Sequence, residues 1–129
     1  MATRPRPLSP HMQVYRWQIT MVMSILHRAS GLVLTAGAFG LAWWLVMLAS
    51  GPEAAEQAMD IVSSPIGLVL LFAFSLALAY HLLNGIRHLA WDVGRGYDIP
   101  TVYKTGYTVA ILTVVLTAAL WFFALGAMQ

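Results

Sequence analysis

Residues 66–92 read IGLVLLFAFSLALAYHLLNGIRHLAWD, and the way this stretch ends decides the fold. Its first part is a long uncharged run. Polarity then arrives together, as His81, Asn84, Arg87, His88 and Asp92. Only 9% of the chain is charged and 60% is hydrophobic, so this concentration of polar groups needs a cause. On a helix, positions i, i+4, i+7 and i+11 share a face. His81, Gly85, His88 and Asp92 fit that spacing, with Asn84 beside them. The stretch therefore predicts a membrane helix whose last three turns carry chemistry.

A water-soluble domain of 129 residues could not hide so much apolar surface, so lipid is the solvent for much of the chain. The net charge of +2 comes from few residues and points to neither nucleic-acid binding nor a polybasic tail. Cysteine is absent, which excludes disulfides, thiolate metal sites and thiol redox chemistry. The remaining candidate metal ligands are His11, His27, His81, His88, some carboxylates and the methionines. The opening MATRPRPLSPHMQVYRWQIT has no short apolar core with a small-residue cleavage site, and it is not an Arg- and Ser-rich presequence. No removable targeting peptide is expected.

Working outward, residues 1–20 form a basic arm with Arg4, Arg6 and Arg16 and no acid. Pro5, Pro7 and Pro10 favour an extended conformation there. Tyr15 and Trp17 suit the membrane–water boundary. Helices are predicted over about 21–48, 65–92 and 103–127. Residues 29–48 carry no charge and suffice to cross ~30 Å of hydrocarbon. Ser24, Arg28, Gly31, Thr35, Ala38 and Ala42 fall on one face, whose small residues predict contact with another helix. Residues 50–64 read as a short acidic loop with Glu53, Glu56 and Asp60. Gly94, Gly96 and Pro100 break the helix in the mixed segment 87–104, and the last span reads as a packing helix. The whole is one all-α membrane domain of three transmembrane helices, up-down-up. Lys and Arg cluster in the arm with its adjoining helix start and in the second connection, so the N-terminus is expected on the cytoplasmic side.

Depth then sorts the polar residues. At 1.5 Å per residue, His81 lies roughly 9 Å deeper than Arg87. Ser24, His27 and Arg28 fall at the level of Arg87 and His88. A histidine in lipid either bonds a neighbouring helix or serves a site. A neutral imidazole is a good axial ligand for haem iron, and Gly85, one turn along, leaves room for a flat ring. Both readings of His81 stand. Arg28 and Arg87 are either interfacial anchors or partners for anions such as haem propionates. Beside Arg28, Ser24 can help present hydrogen bonds to a carbonyl such as a quinone oxygen. His27 is a propionate or backbone partner or a solvated interface residue, and His11 reads as a surface residue. His88 shares a helix with His81 and cannot oppose it, so a second axial ligand would come from another subunit.

SPHMQVYRWQITMVMSILHRASG, followed by HLLNGIRHLAWDVGRG, resembles the cytochrome b556 subunit family of succinate dehydrogenase, the larger membrane anchor of respiratory complex II. The match spans most of residues 7–96, and the NGIRHLxWD form is closer to mitochondrial and alphaproteobacterial members than to enteric ones. The resemblance implies a bacterial inner (cytoplasmic) membrane and a four-subunit complex. A flavoprotein oxidises succinate, an iron–sulfur subunit relays electrons, and this chain with a second small membrane anchor reduces ubiquinone. It further implies that His81 is an axial ligand of one haem b, with the other axial histidine on the second anchor. By the same resemblance Ser24 and Arg28 lie near ubiquinone, and His27, Arg28 and His88 surround the haem propionates. Asp92 matches an acidic position of structural or proton-related role. Two rival readings are a related fumarate reductase anchor using menaquinol and a noncatalytic membrane scaffold. A single-chain diheme anchor needs four ligating histidines and is disfavoured.

Overall fold

A computed structural model describes residues 15–127. The basic arm, with Arg4, Arg6, the three prolines and His11, lies outside the described residues apart from its last positions. Four helices follow in order: α1 (Ile19–Ala49), α2 (Pro52–Ser63), α3 (Pro65–Asp92) and α4 (Ile99–Ala127). Three of them, α1, α3 and α4, are long and apolar enough to cross a membrane. The 31 residues of α1 extend about 46 Å at 1.5 Å per residue, more than the ~30 Å hydrocarbon layer requires. The surplus places the polar first turns of α1 and last turns of α3 at the interface.

Among the described residues the usual inside–outside pattern is inverted. Leu32, Phe39, Ile66 and Phe122 are each 75% exposed, which only lipid tolerates. The buried positions are instead Ser30, Asn84, Arg87, Thr113 and Thr117, with Met23, Ala58 and Val109 as their apolar companions. Helices in lipid associate through small residues and hydrogen bonds because tails and leucines are equally apolar. The central helix, α3, runs antiparallel to both neighbours. Along α1 the pairings descend from Tyr80 with Met23, through His81 with Ser30, to Phe74 with Gly37. Along α4, Arg87 meets Thr105 and Val102, while Ser75 meets Trp121.

The packing face of α1 is rotated from the expected one. Met23, His27, Ser30, Leu34 and Gly37 turn inward, whereas Arg28, Thr35, Ala38 and Ala42 are exposed. The cause is closeness at Gly37, where a Cβ would run into the Phe74 ring. Small residues alone did not mark the contact face; the polar partners of Met23 and Ser30 did.

Residues 50–64 form no loop but the helix α2. Gly51 (φ 115°) turns the chain and Pro52 takes the first helical position, where its missing N–H costs nothing. Glu53 in the first turn complements the helix dipole. Acidic residues spaced three and four apart are a solvated helix face as readily as a loop, and that ambiguity misled the reading. The α2–α3 corner is fixed by Ser64, whose Oγ accepts from the Gly67 N–H at 3.1 Å, with Pro65 following. At the other end α4 begins at Ile99 rather than near residue 103. Asp98 Oδ2 accepts the Thr101 N–H at 3.0 Å, and Pro100 sits in the first turn, where it starts a helix instead of breaking one. Hydrogen bonding from Thr101, its hydroxyl and then its N–H, holds the exposed Asp98 carboxyl below its usual range. Gly94 (φ 77°) and Gly96 (φ 82°) carry the reversal between α3 and α4.

At Gly67 a Cβ would collide with the backbone carbonyls of Ile61 and Val62, which cannot swing aside. Gly67→Ala is expected to destabilise the α2–α3 corner by about 1–3 kcal/mol. Reversible unfolding in detergent mixtures, followed by circular dichroism, measures it; an unchanged midpoint would refute the close approach.

Candidate functional site

At one end of the α1–α3 seam three imidazoles collect. The His27 ring lies flat on the His81 ring, with centroids 4.0 Å apart and planes 10° from parallel. Its distance to the His88 ring is 4.9 Å. Sequence spacing separates His81 from His88 by two turns of α3, and His27, arriving from α1, fills the interval. It packs beside Gly85, its Cε1 3.9 Å from the place a Gly85 Cβ would take, an ordinary contact distance. The room ascribed to a flat cofactor beside Gly85 is therefore occupied by the His27 imidazole.

Each ring is held differently. His81 Nδ1 is 3.0 Å from Ser30 Oγ, and its Cε1 lies 3.4 Å from a notional Cβ on Gly31. Among the described residues no hydrogen bond engages His81 Nε2. His88 Nδ1 donates to the Asn84 carbonyl at 2.8 Å, and its ring meets Trp91 edge-on at 5.2 Å. His27 Nδ1 is buried with no hydrogen-bond partner, and the same holds for both side-chain polar atoms of the fully buried Asn84. Leaving a buried polar group unpaired costs about 1–3 kcal/mol each. Three such atoms, one on α1 and two on a single residue of α3, mark a place where the described chain does not satisfy its own polarity.

The two arginines of this depth part company. Arg87 is buried at 6% exposure. Its Nε donates to Thr105 Oγ1 at 3.0 Å and its second amino group to the Val102 carbonyl at 2.9 Å. Its first amino group approaches Met23 Sδ at 3.6 Å, and the guanidinium lies 4.1 Å over the Trp91 ring. Arg87 thus faces the three-helix interior. Arg28 is exposed on α1, one position round from His27. Ser24, half-buried one turn earlier, shares its face. Ser24 and Arg28 therefore sit together, adjacent to the histidine cluster but outside it. Asp92 is exposed beyond the cluster.

Two residues of the cluster went unremarked in the sequence. Ser30 bonds His81, and Tyr80 donates its hydroxyl to the Met23 carbonyl at 2.8 Å across the same seam. The only signal for Ser30 was its position three residues after His27 and seven after Met23, a spacing that puts all three on one face.

The chain was compared with known proteins. The family described as "Succinate dehydrogenase/Fumarate reductase transmembrane subunit" matches residues 2–120. The succinate dehydrogenase cytochrome b556 subunit of Rickettsia prowazekii (strain Madrid E) is 40% identical over 116 residues, covering 90% of each chain. The mitochondrial succinate dehydrogenase cytochrome b560 subunit of Homo sapiens is 42% identical over 122 residues, covering 89% of this chain and 69% of the human one. The bovine counterpart is 42% identical over 125 residues, covering 92% and 71%.

Because Arg87 is buried and bonds both α1 and α4, its truncation is a structural lesion. Arg87→Ala should destabilise the bundle by about 2–3 kcal/mol, the size of lost hydrogen bonds to a charged group. Arg28→Ala should leave stability within about 0.5 kcal/mol, as for other exposed sites. Thermal melts of the two variants in detergent test the contrast, and equal melting shifts would remove it.

Proposed function

The chain belongs to the succinate dehydrogenase/fumarate reductase transmembrane-subunit family, and from that premise we propose that it is the haem-bearing membrane anchor of a bacterial succinate:ubiquinone oxidoreductase. It would lie in the inner membrane with its N-terminus cytoplasmic, beside a second small anchor, and carry a flavoprotein and an iron–sulfur subunit. The observation that carries the reading is the His27–His81–His88 cluster, in which His81 Nε2 has no hydrogen bond among the described residues.

A b-type haem suits the donors present. His81 Nε2 is the candidate axial ligand, and the partnerless His27 Nδ1 and Asn84 amide are polar groups in want of a counterpart. Among the described residues His27 stacks on the His81 ring and His88 shares its helix, so neither opposes it, and the other ligand is assigned to the second anchor. His27, Arg28 and His88 would hold the propionates. The haem, when bound, supplies a one-electron store between the iron–sulfur subunit and the quinone.

Ubiquinone reduction consumes two electrons and two protons, and the protons must come from water. The interfacial position of Ser24 and Arg28 suits that need. The Arg28 guanidinium, exposed and without a protein partner among the described residues, can donate to a quinone oxygen as negative charge develops on it. The Ser24 hydroxyl, on the same face, can donate to that oxygen and fix its orientation. Because Arg87 is committed to α4, Arg28 is the cation of this depth that remains available to substrate.

Two measurements on the purified complex test this. His81→Leu should abolish the b-type reduced-minus-oxidised spectrum, and retention of that spectrum at normal haem content sinks the ligand assignment. Arg28→Ala should slow succinate-driven ubiquinone reduction on the order of 100-fold, the scale of losing one preorganised donor. Succinate oxidation by a soluble dye that bypasses the membrane should persist; equal loss of both activities would point to failed assembly instead.

A further inference from the structure

Ser30 is the residue whose geometry says most that the family likeness does not. It is buried at 7% exposure, in the α1 turn that faces His81. Its hydroxyl has one hydrogen and two lone pairs. The hydroxyl donates to the His27 carbonyl at 2.8 Å, the back-bond to i−3 that a serine in a helix commonly makes. A carbonyl can only accept, so in this arrangement the single hydrogen is directed there. Toward His81 Nδ1, 3.0 Å away, Ser30 Oγ then offers a lone pair. With the back-bond made, the hydrogen of that contact belongs to the imidazole.

We infer that Ser30 is a positioning residue that fixes His81 in the Nδ1–H tautomer and leaves Nε2 as a bare lone pair for iron. The inference rests on the proposed ligand role of His81 and adds its cause. A neutral imidazole carries its hydrogen on one nitrogen, and with Nδ1 protonated Nε2 is the nitrogen able to ligate. Ring orientation is fixed at the same time, because the edge at Cε1 is seated over Gly31. His88 follows the same rule one site along, with its Nδ1 hydrogen held by the Asn84 carbonyl. A hydrogen bond accepted from Nδ1–H also makes the imidazole a stronger donor to metal. That favours the ferric over the ferrous state and lowers the haem potential.

The test uses the complete purified complex carrying Ser30→Ala or Ser30→Thr, with His81→Leu as control. Ser30→Ala should raise the haem midpoint potential and weaken haem retention about 10–100-fold, read as transfer to apomyoglobin. Ser30→Thr should stay close to the parent in both, since a helical threonine makes the same back-bond through Oγ1. An unchanged potential and retention in Ser30→Ala overturns the inference. So does a Thr variant displaced as far as Ala, because packing and not the hydroxyl would then be responsible. If Ser30→Ala does not assemble, Ser30→Cys, similar in size with a weak sulfur acceptor, must show the same rise or the inference fails. A His81→Leu complex that keeps its haem spectrum removes the ligand reading itself. Loss of haem in that control, with Ser30→Ala unaltered, removes only the role of Ser30.

Discussion

The register between α1 and α3 is set by polar contacts across one short length of their seam. Tyr80 bonds the Met23 carbonyl, Ser30 bonds His81, and Arg87 reaches the Met23 sulfur. In lipid there is no hydrophobic force to hold two helices at a given offset, since leucine against leucine equals leucine against acyl chain. Each interhelical hydrogen bond contributes only about 0.6 kcal/mol on average. Their weight here lies in being simultaneous. A slip of one turn, about 5.4 Å, would break all of them and drive Phe74 out of the space at Gly37. Everything else about the cluster, including the stacking of His27 between two α3 histidines, follows from that offset.

The same constraint explains where α4 goes. Arg87 at this depth needs donors satisfied within the protein, and α4 supplies the Thr105 hydroxyl and the Val102 carbonyl. The early start of α4 at Ile99 brings those groups level with Arg87. The glycines at 94 and 96 and the Asp98 cap make that early start possible in so short a connection. A turn read as merely interrupting two spans thus delivers a buried cation its partners. At the opposite end the Trp121 N–H on Ser75 ties α3 to α4 again, so the helix bearing His81 and His88 is pinned at both ends.

Three long apolar helices were legible in the sequence because hydrocarbon thickness demands long uncharged runs, and nothing else in a short chain produces them. The family was legible from two polar motifs, since SILHR and HLLNGIRHLAWD stand out against an apolar background. Helix rotation was not. Small residues at Gly31, Thr35, Ala38 and Ala42 satisfy the same spacing as a packing face, while the true face is one position round at Met23, His27 and Ser30. The period of 3.6 residues fixes which residues share a stripe, but only pairing across the seam fixes which stripe is inside. For the same reason Arg28 and Arg87 looked equivalent in sequence, and α2 looked like a loop because three acidic residues without a Lys or Arg follow Ser50, Gly51 and Pro52.

The distinction between those two arginines bears on how a site is recognised in a membrane bundle. Both lie at the same depth, and both are near the histidines. Arg87 directs its Nε and both amino groups at Thr105, Met23 and Val102, inside the bundle. Arg28 directs none of its donors at the described part of the chain. Exposed on that face, the Arg28 guanidinium leaves its donors open to water or to a ligand. The unpaired Asn84 amide and His27 nitrogen carry the same implication for the cluster beside it. His27 Nδ1 and the Asn84 amide are open on the seam of α1 and α3, whereas Trp44 Nε1 and Thr117 Oγ1 are open away from the histidines, so an unpaired group marks a site only where other donors converge on it.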